Sequence, residues 1–290
     1  MTLQWFPGHM AKTRRMITDN LKLVDAVIEL VDARLPLSSR NPEIDRIAGK
    51  KPRVLVMNKC DIADSKANML WKNYFEKKGI CTVLADSLTG NGVKGLDAAI
   101  EKVLAEKLER ERQKGLQRRS VRLMVVGIPN VGKSSFINRM SGRAAAKTGD
   151  RPGVTTAKQW IKLAGRYELL DTPGILWPKF EDPEAARRIA FTGGIKDEIM
   201  DVEELAFYLI GFLRRNYPKL LTERFKINEA IDEYDDFELL ELIGKKRGCI
   251  VSGGNVDTLR AANLVLDDFR GARIGKITLE LPGNAKVQHS

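Results

Sequence analysis

The feature that most constrains this chain is the segment Gly127–Ser134, which reads Gly-Ile-Pro-Asn-Val-Gly-Lys-Ser. It fits the pattern G-x-x-x-x-G-K-[ST] of a phosphate-binding loop. The apolar run at 121–126 predicts a buried strand before it, and residues 135–140 open a helix after it. A glycine-rich turn of this kind points successive N–H groups at a phosphate, at the positive end of the helix. The motif and its flanks therefore favour phosphate binding over an ordinary strand-to-helix turn.

The individual loop residues have separate expected roles. The Lys133 ammonium can reach the β- and γ-phosphates of a nucleotide, and we expect it to act in catalysis by this contact. The Ser134 hydroxyl can ligate Mg²⁺. Further phosphate contacts are predicted for Asn130, Val131, Gly132 and Ser135.

The bulk composition limits the class of protein. The chain has 290 residues, a formal charge of +11 and a hydrophobic fraction of 43%, which is enough for a real core. The positive charge indicates a polyanionic partner such as nucleic acid. Isolated cysteines argue against a disulfide framework or a zinc site, and neither a membrane span nor a signal segment is predicted. We therefore expect a cytoplasmic protein without membrane contact, and a monomer.

The order of apolar runs predicts the fold class. Residues 24–110 alternate between short buried strands and helical segments, which is typical of an α/β protein with a parallel sheet covered on both faces. After Pro178 the pattern becomes entirely helical. We predict one domain over residues 1–178, including an N-terminal basic helix, a smaller helical domain over 179–283, and a tail over 284–290.

A second motif predicts the choice of base. Asn58-Lys59-Cys60-Asp61 follows a predicted strand and fits N-K-x-D. The Asp61 carboxylate can accept hydrogen bonds from N1–H and the exocyclic amine of guanine, a donor pair that adenine lacks. We expect the Lys59 stem to pack over the base and Asn58 to join this loop to the phosphate loop.

Residues near two further strand ends are also candidates for the site. A backbone N–H of Asp86-Ser87 is predicted to face the guanine oxygen. In the D-x-x-G motif at 171–174, the Asp171 carboxylate would hold a Mg²⁺-bound water and the Gly174 N–H would meet the γ-phosphate. Thr155 is the expected second metal-ligating hydroxyl, with Thr156 as the alternative.

The motifs stand in an unusual order, because N-K-x-D comes first and D-x-x-G comes last. The sequence thereby resembles the circularly permuted GTPases. Trp5–Met10, Asp32–Pro36 and Pro152–Thr155 are similar to segments of the ribosome biogenesis GTPase A family, the RbgA/YlqF type. The resemblance implies a permuted P-loop NTPase G domain with a six-stranded, mainly parallel sheet. It also implies a Mg²⁺-dependent GTPase that assists late assembly of the large (50S) ribosomal subunit, with helices that contact rRNA.

The catalytic group is less well defined by the sequence. Ile175 stands where Ras-like proteins place a water-orienting glutamine, so a low intrinsic rate and stimulation by the ribosomal particle are expected. The resemblance suggests His9 as the catalytic residue, and a structural role for His9 stays open. Asn130 resembles the amide that holds K⁺ in potassium-dependent GTPases, and simple loop packing is its alternative role.

Two questions of function stay open at this point. The basic stretch at 110–122 could contact nucleic acid or form a solvated face. The chain could also be a GTP-controlled RNA-binding placeholder whose hydrolysis only resets it. The segment Ile175–Glu181 is the predicted connection between the D-x-x-G motif and the helical domain.

Overall fold

A computed structural model describes residue 15 and residues 17–115, 120–142, 159–163, 166–171 and 182–283. For residues 42, 43, 159 and 171 it describes the backbone alone. The strands are β1 Ala26–Asp32, β2 Arg53–Asn58, β3 Cys81–Ala85, β4 Val121–Val126, β5 Gln159–Leu163 and β6 Tyr167–Asp171. The α-helices are α1 Pro42–Ala48, α2 Ser65–Lys77, α3 Gly95–Gln113, α4 Lys133–Ser141, α5 Pro183–Phe191, α6 Val202–Asn216, α7 Pro218–Phe225, α8 Asp236–Lys246 and α9 Thr258–Arg270.

The six strands form one sheet in the order β3-β2-β1-β4-β6-β5. Every neighbouring pair is parallel except β5 with β6, which form an antiparallel pair. The predicted α/β class and the six-stranded, mainly parallel sheet are therefore confirmed. All seven residues of β1 are buried, as expected for a central strand covered by helices on both faces.

Two apolar clusters cover the sheet. Residues 17–21 are helical, and Ile17 and Leu21 pack with Val27 of β1 and Met124 of β4. The second cluster contains Trp71 and other residues of α2, packed against strand side chains. Since the carboxyl ends of parallel strands meet at one edge, this arrangement brings the loops after β1, β2, β4 and β6 together.

The basic stretch divides between two elements. Helix α3 continues to Gln113, so Arg110 and Arg112 lie in its last turn. Arg122 lies in β4, where its guanidinium pairs with the Glu168 carboxylate at 3.0 Å and covers the Trp160 ring. Residues 116–119 lie outside the described residues. Arg122 thus belongs to the sheet rather than to a linker.

The chain divides into two compact units. One comprises Met1–Ala185 with Thr278–Ser290, and the other comprises Ala186–Ile277. The predicted domain boundary near residue 178 lies outside the described residues, and the range 179–283 stays a prediction. The contacts place Thr278 onward with the first unit, which means that the helical unit is inserted between two parts of the sheet unit.

The helical unit is built around α6, α8 and α9. Leu209 of α6, Leu239 of α8 and Val265 of α9 are among its fully buried side chains. The Asp201 carboxylate caps α6 by accepting a hydrogen bond from the Glu204 N–H, as its sequence predicts. None of the helices within the described ranges combines the length and the apolar character needed to cross a bilayer.

Candidate functional site

The phosphate loop lies between β4 and α4, as its motif predicts. Its backbone takes two left-handed conformations, at Asn130 (φ 61°) and at Gly132 (φ 89°). Helix α4 begins at Lys133 without a side-chain cap, so the first N–H groups of the helix are not used by a capping side chain. Lys133 is buried and Ser134 half-buried in the first turn of this helix. This local geometry suits an anionic ligand at the helix start.

Asn58 connects three loops at the edge of the sheet. Its amide Nδ2 donates a hydrogen bond to the Val131 carbonyl oxygen at 2.7 Å. Its Oδ1 accepts hydrogen bonds from the Ser87 N–H at 3.1 Å and from the Ser87 hydroxyl at 2.6 Å. Asn58 is 1% exposed, so these hydrogen bonds are shielded from water. The expected link between the N-K-x-D loop and the phosphate loop is confirmed.

Lys59 makes a second link between the same two loops. Its ammonium donates to the Asn130 carbonyl oxygen at 2.5 Å and pairs with the Asp32 carboxylate at 3.1 Å. Asp32 is the last residue of β1, and Arg34 donates to both of its carboxylate oxygens, from Nε at 3.0 Å and from Nη2 at 2.8 Å. Lys59 takes a left-handed backbone conformation, with φ of 61°.

The charges of this cluster depend on one another. Burial alone would raise the pKa of the Asp32 carboxyl, but the charges and hydrogen bonds of Arg34 and Lys59 hold that pKa well below its usual range. Burial of the Lys59 ammonium lowers its pKa, although the attraction of Asp32 opposes this effect. Asp32 therefore stays ionised and fixes a cation beside the phosphate loop.

The rest of the N-K-x-D loop is held by its backbone. The Cys60 N–H donates to the Ala85 carbonyl oxygen at 3.2 Å, and the Cys60 carbonyl oxygen accepts from Asn68 Nδ2 at 2.9 Å. Within the described part of the chain, no hydrogen bond ends on the Asp61 carboxylate, which is half-buried. Asp61 thus stands on a fixed loop with acceptor oxygens available to a ligand.

The loop after β3 has partners of its own. The Asp86 carboxylate accepts from the Leu88 N–H at 2.8 Å and from the Thr89 hydroxyl. The Asp86 N–H donates to the Asn91 carbonyl oxygen, and the Ser87 N–H is used by Asn58. Asp86 and Ser87 therefore shape this loop, and a contact of either N–H with a guanine oxygen stays a prediction.

Oxygen donors suited to Mg²⁺ occur at the same edge of the sheet. Strand β6 pairs in parallel with β4, and Leu170 lies opposite Met124. Asp171 therefore ends its strand beside the point where β4 leads into the phosphate loop and Ser134. A hydroxyl and a carboxylate are hard oxygen ligands of the kind that Mg²⁺ prefers, so the donor set fits this ion.

Several predicted site residues lie outside the described residues, namely His9, Thr155, Thr156, Gly174 and the side chain of Asp171.

Sequence reasoning missed Asp32 and Arg34 as parts of the site. A signal was present in the sequence, because Asp32 is a charged residue at the carboxyl end of a wholly buried strand.

The position of Gly132 makes a testable prediction. A Cβ at Gly132 would collide with Asn58 Nδ2, and its φ of 89° is unfavourable for residues with a side chain. To relieve this collision Asn58 or the phosphate loop must move, and a lost buried hydrogen bond costs about 1–3 kcal/mol, so we expect Gly132→Ala to weaken nucleotide binding about tenfold. Titration of a fluorescent GDP analogue measures this change.

Gly142 provides the matched control. It also has a positive φ, of 65°, but an added Cβ there would meet nothing within 4 Å. Gly142→Ala should therefore lower the melting temperature without changing GDP affinity. Equal effects of both variants on affinity would show that strain, and not the contact with Asn58, is responsible.

Comparisons with a family model, with related proteins and with solved structures give consistent results. A family model described as 50S ribosome-binding GTPase matches residues 122–242. Ribosome biogenesis GTPase A from Bacillus cereus is 51% identical over 282 residues, covering 97% of this chain and 95% of that protein. The protein of the same name from Thermotoga maritima is 30% identical over 281 residues, covering 97% and 95%. The structure of GNP-bound YlqF from T. maritima aligns with a TM-score of 0.65 and 26% identity, covering 94% of this chain and 100% of that one.

Proposed function

Because the chain belongs to the ribosome biogenesis GTPase A family and is a GTPase involved in ribosome assembly, we propose that it hydrolyses GTP with Mg²⁺ during late assembly of the large ribosomal subunit. The observation that carries the site assignment is the pair of links from Asn58 to Val131 and from Lys59 to Asn130. These links support the assignment because they join the loop Asn58–Asp61, which we call the base-recognition loop, to the phosphate loop, although 71 positions of the chain separate Lys59 from Asn130.

We assign each residue of the site a contact with the nucleotide or with Mg²⁺ according to its position. Asp61 accepts the two donors of guanine, while Val131, Gly132 and Lys133 contact the phosphates. Ser134, Thr155 and Asp171 would hold Mg²⁺, which when bound would supply positive charge beside the phosphates. We assign the remaining contacts with the nucleotide to Cys60, Asp86, Ser87, Ser135 and Gly174.

Two further assignments concern catalysis and a monovalent cation. We assign the catalytic role to His9, since Ile175 in the D-x-x-G loop has no group that could orient water. We assign K⁺ binding to the Asn130 side chain, which is exposed at the tip of the phosphate loop while its carbonyl oxygen accepts from Lys59.

The distribution of charge supports a particular mode of contact with rRNA. Acidic and basic residues nearly cancel within Ala186–Ile277, so the net charge of +11 comes from the sheet unit and its flanking segments. We propose that residues 110–119 and the basic helix that includes the exposed Arg15 supply the attraction to phosphate groups. The helical unit then contributes shape and individual side chains rather than a positive field.

The direct test measures GTP hydrolysis with and without purified large ribosomal subunits, in K⁺ and in Na⁺. We expect a low rate for the protein alone, a clear increase on addition of subunits, and a faster rate in K⁺. Ser134→Ala is the control variant, and its rate should no longer respond to Mg²⁺. GTP-dependent binding to subunits without any increase in rate would instead support the placeholder function.

A further inference from the structure

The chain returns to the sheet unit after its last helix. We call Thr278–Gly283, which follows Ile277 at the end of the helical unit, the return segment. Thr278 and Leu279 are each 2% exposed and Glu280 is 9% exposed. Three successive buried residues hold this six-residue segment in place, and one of them, Glu280, carries a carboxylate.

Glu280 binds the loop that follows β1. Its Oε1 accepts hydrogen bonds from the Leu37 N–H at 2.5 Å and the Ser38 N–H at 2.9 Å. Its Oε2 accepts from the Ser38 hydroxyl at 2.5 Å. Backbone groups add to this contact, since the Leu279 N–H donates to the Arg34 carbonyl oxygen at 2.6 Å and Trp71 Nε1 donates to the Glu280 carbonyl oxygen at 2.8 Å.

The same loop contacts the nucleotide site on its other side. We call residues 33–39 the β1 loop. The Ser39 hydroxyl accepts from the Asp32 N–H at 3.0 Å and donates to the Leu35 carbonyl oxygen at 2.7 Å. Arg34 donates to the Asp32 carboxylate, which holds the Lys59 ammonium. The β1 loop therefore lies between the return segment and the base-recognition loop.

Hydrogen bonds and the short backbone of the β1 loop join Glu280 to Lys59, and we propose that Glu280 is a positioning residue for guanine-nucleotide binding. By fixing the β1 loop, Glu280 holds Arg34 against Asp32 and so keeps Lys59 in place beside the phosphate loop. The proposal rests on the assignment of Asn58–Asp61 to the guanine base.

The chemistry of the contact favours positioning over simple stabilisation. A buried carboxylate loses hydration, and an apolar side chain of similar volume often stabilises a fold equally well. Three directed hydrogen bonds instead select one conformation of the β1 loop. Their effect should therefore appear in the affinity for nucleotide, and not only in the free energy of unfolding.

The test compares Glu280→Ala with Glu280→Gln in the full-length protein. The alanine variant should bind fluorescent GDP and GTP analogues about five- to tenfold more weakly, a coupling typical of residues that act through others. The factor should be equal for GDP and GTP, because Lys59 belongs to the base-recognition loop and the two nucleotides share the same base. Glutamine should restore most of the affinity, since its amide can accept from both N–H groups and donate to the Ser38 hydroxyl.

Control measurements distinguish a wrong assignment of the nucleotide site from a wrong assignment of the role of Glu280. Glu106→Ala removes a carboxylate that is 94% exposed in the same unit, and it should leave affinity unchanged. Wild-type protein that binds ATP as well as GTP would overturn the site assignment itself. A folded Glu280→Ala variant with wild-type GDP affinity would overturn the positioning role alone. If that variant does not fold, Ser38→Ala replaces it, with a smaller loss of affinity expected and an unchanged affinity counting against the proposal.

Discussion

Replacing Asn58 with alanine is expected to lower the affinity for both GDP and GTP about 100-fold, because each orphaned buried partner costs about 1–3 kcal/mol. The substitution removes the acceptor of the Ser87 N–H and hydroxyl, and the donor to the Val131 carbonyl oxygen. The base-recognition loop and the phosphate loop would then lose the direct link that Asn58 makes between them, while the link from Lys59 to Asn130 would remain. Competition titrations with a fluorescent GDP analogue measure the loss.

Asn58→Asp separates the two halves of this network. Aspartate can still accept from Ser87 but cannot donate to Val131, and its charge would face a carbonyl oxygen. It should therefore resemble alanine in nucleotide binding. Asn20→Ala is the control, because Asn20 is equally buried at 1% exposure but lies before β1, outside the loops of the candidate site. If Asn20→Ala weakens GDP binding as strongly, the effect of Asn58 is one of general stability.

The sheet could be predicted from sequence because its strands are continuous apolar runs. β2 and β4 are buried along almost their whole length, which gives a strong signal without any partner information. Strand ends are less exact, since the alternating region was predicted to start at residue 24 and its first strand, β1, begins at Ala26. A parallel sheet also implies which strand ends share an edge, and this is why the link from Asn58 to the phosphate loop was predictable.

Other features depend on contacts between residues that are far apart in the sequence, which a local sequence pattern does not reveal. The sequence pattern does not separate α7 from α6, because a proline after an apolar helical run indicates the end of a helix, whereas Pro218 occupies the first turn of the next one. The return segment has no helical or strand period of its own. Its place is set by Glu280 and by partners about 240 positions earlier in the chain, such as Leu37.

The return segment gives the helical unit a second connection along the chain to the sheet unit. The sequence predicts that the segment Ile175–Glu181 connects the D-x-x-G loop to the helical domain. The structure has a second connection, which enters the sheet unit at Thr278 and contacts the β1 loop. The helical unit is thus joined in sequence to both the D-x-x-G motif and the loop that positions Lys59.

The largest change in specificity is expected for Asp61→Asn. Guanine presents N1–H and an amine to the carboxylate, whereas xanthine presents N1–H and an oxygen. An asparagine amide matches xanthine, because its oxygen accepts and its NH₂ donates. A site that loses a matched buried hydrogen bond discriminates by large factors, so GTP affinity should fall about 1,000-fold while XTP affinity rises.

Asp64→Asn is the matched control for this change. Asp64 lies three residues further along and caps α2 by accepting from the Lys66 and Ala67 N–H groups, which asparagine can do equally well. It should bind GTP as the wild type does and should not bind XTP. Because the loop that carries Asp61 is fixed by Asn58, Lys59 and Cys60, the change of base should not require any change of the fold. The two variants are compared by competition of GTP, XTP and ATP against fluorescent GDP or XDP. An Asp61→Asn protein that still prefers GTP would place the base-recognition carboxylate elsewhere in the chain.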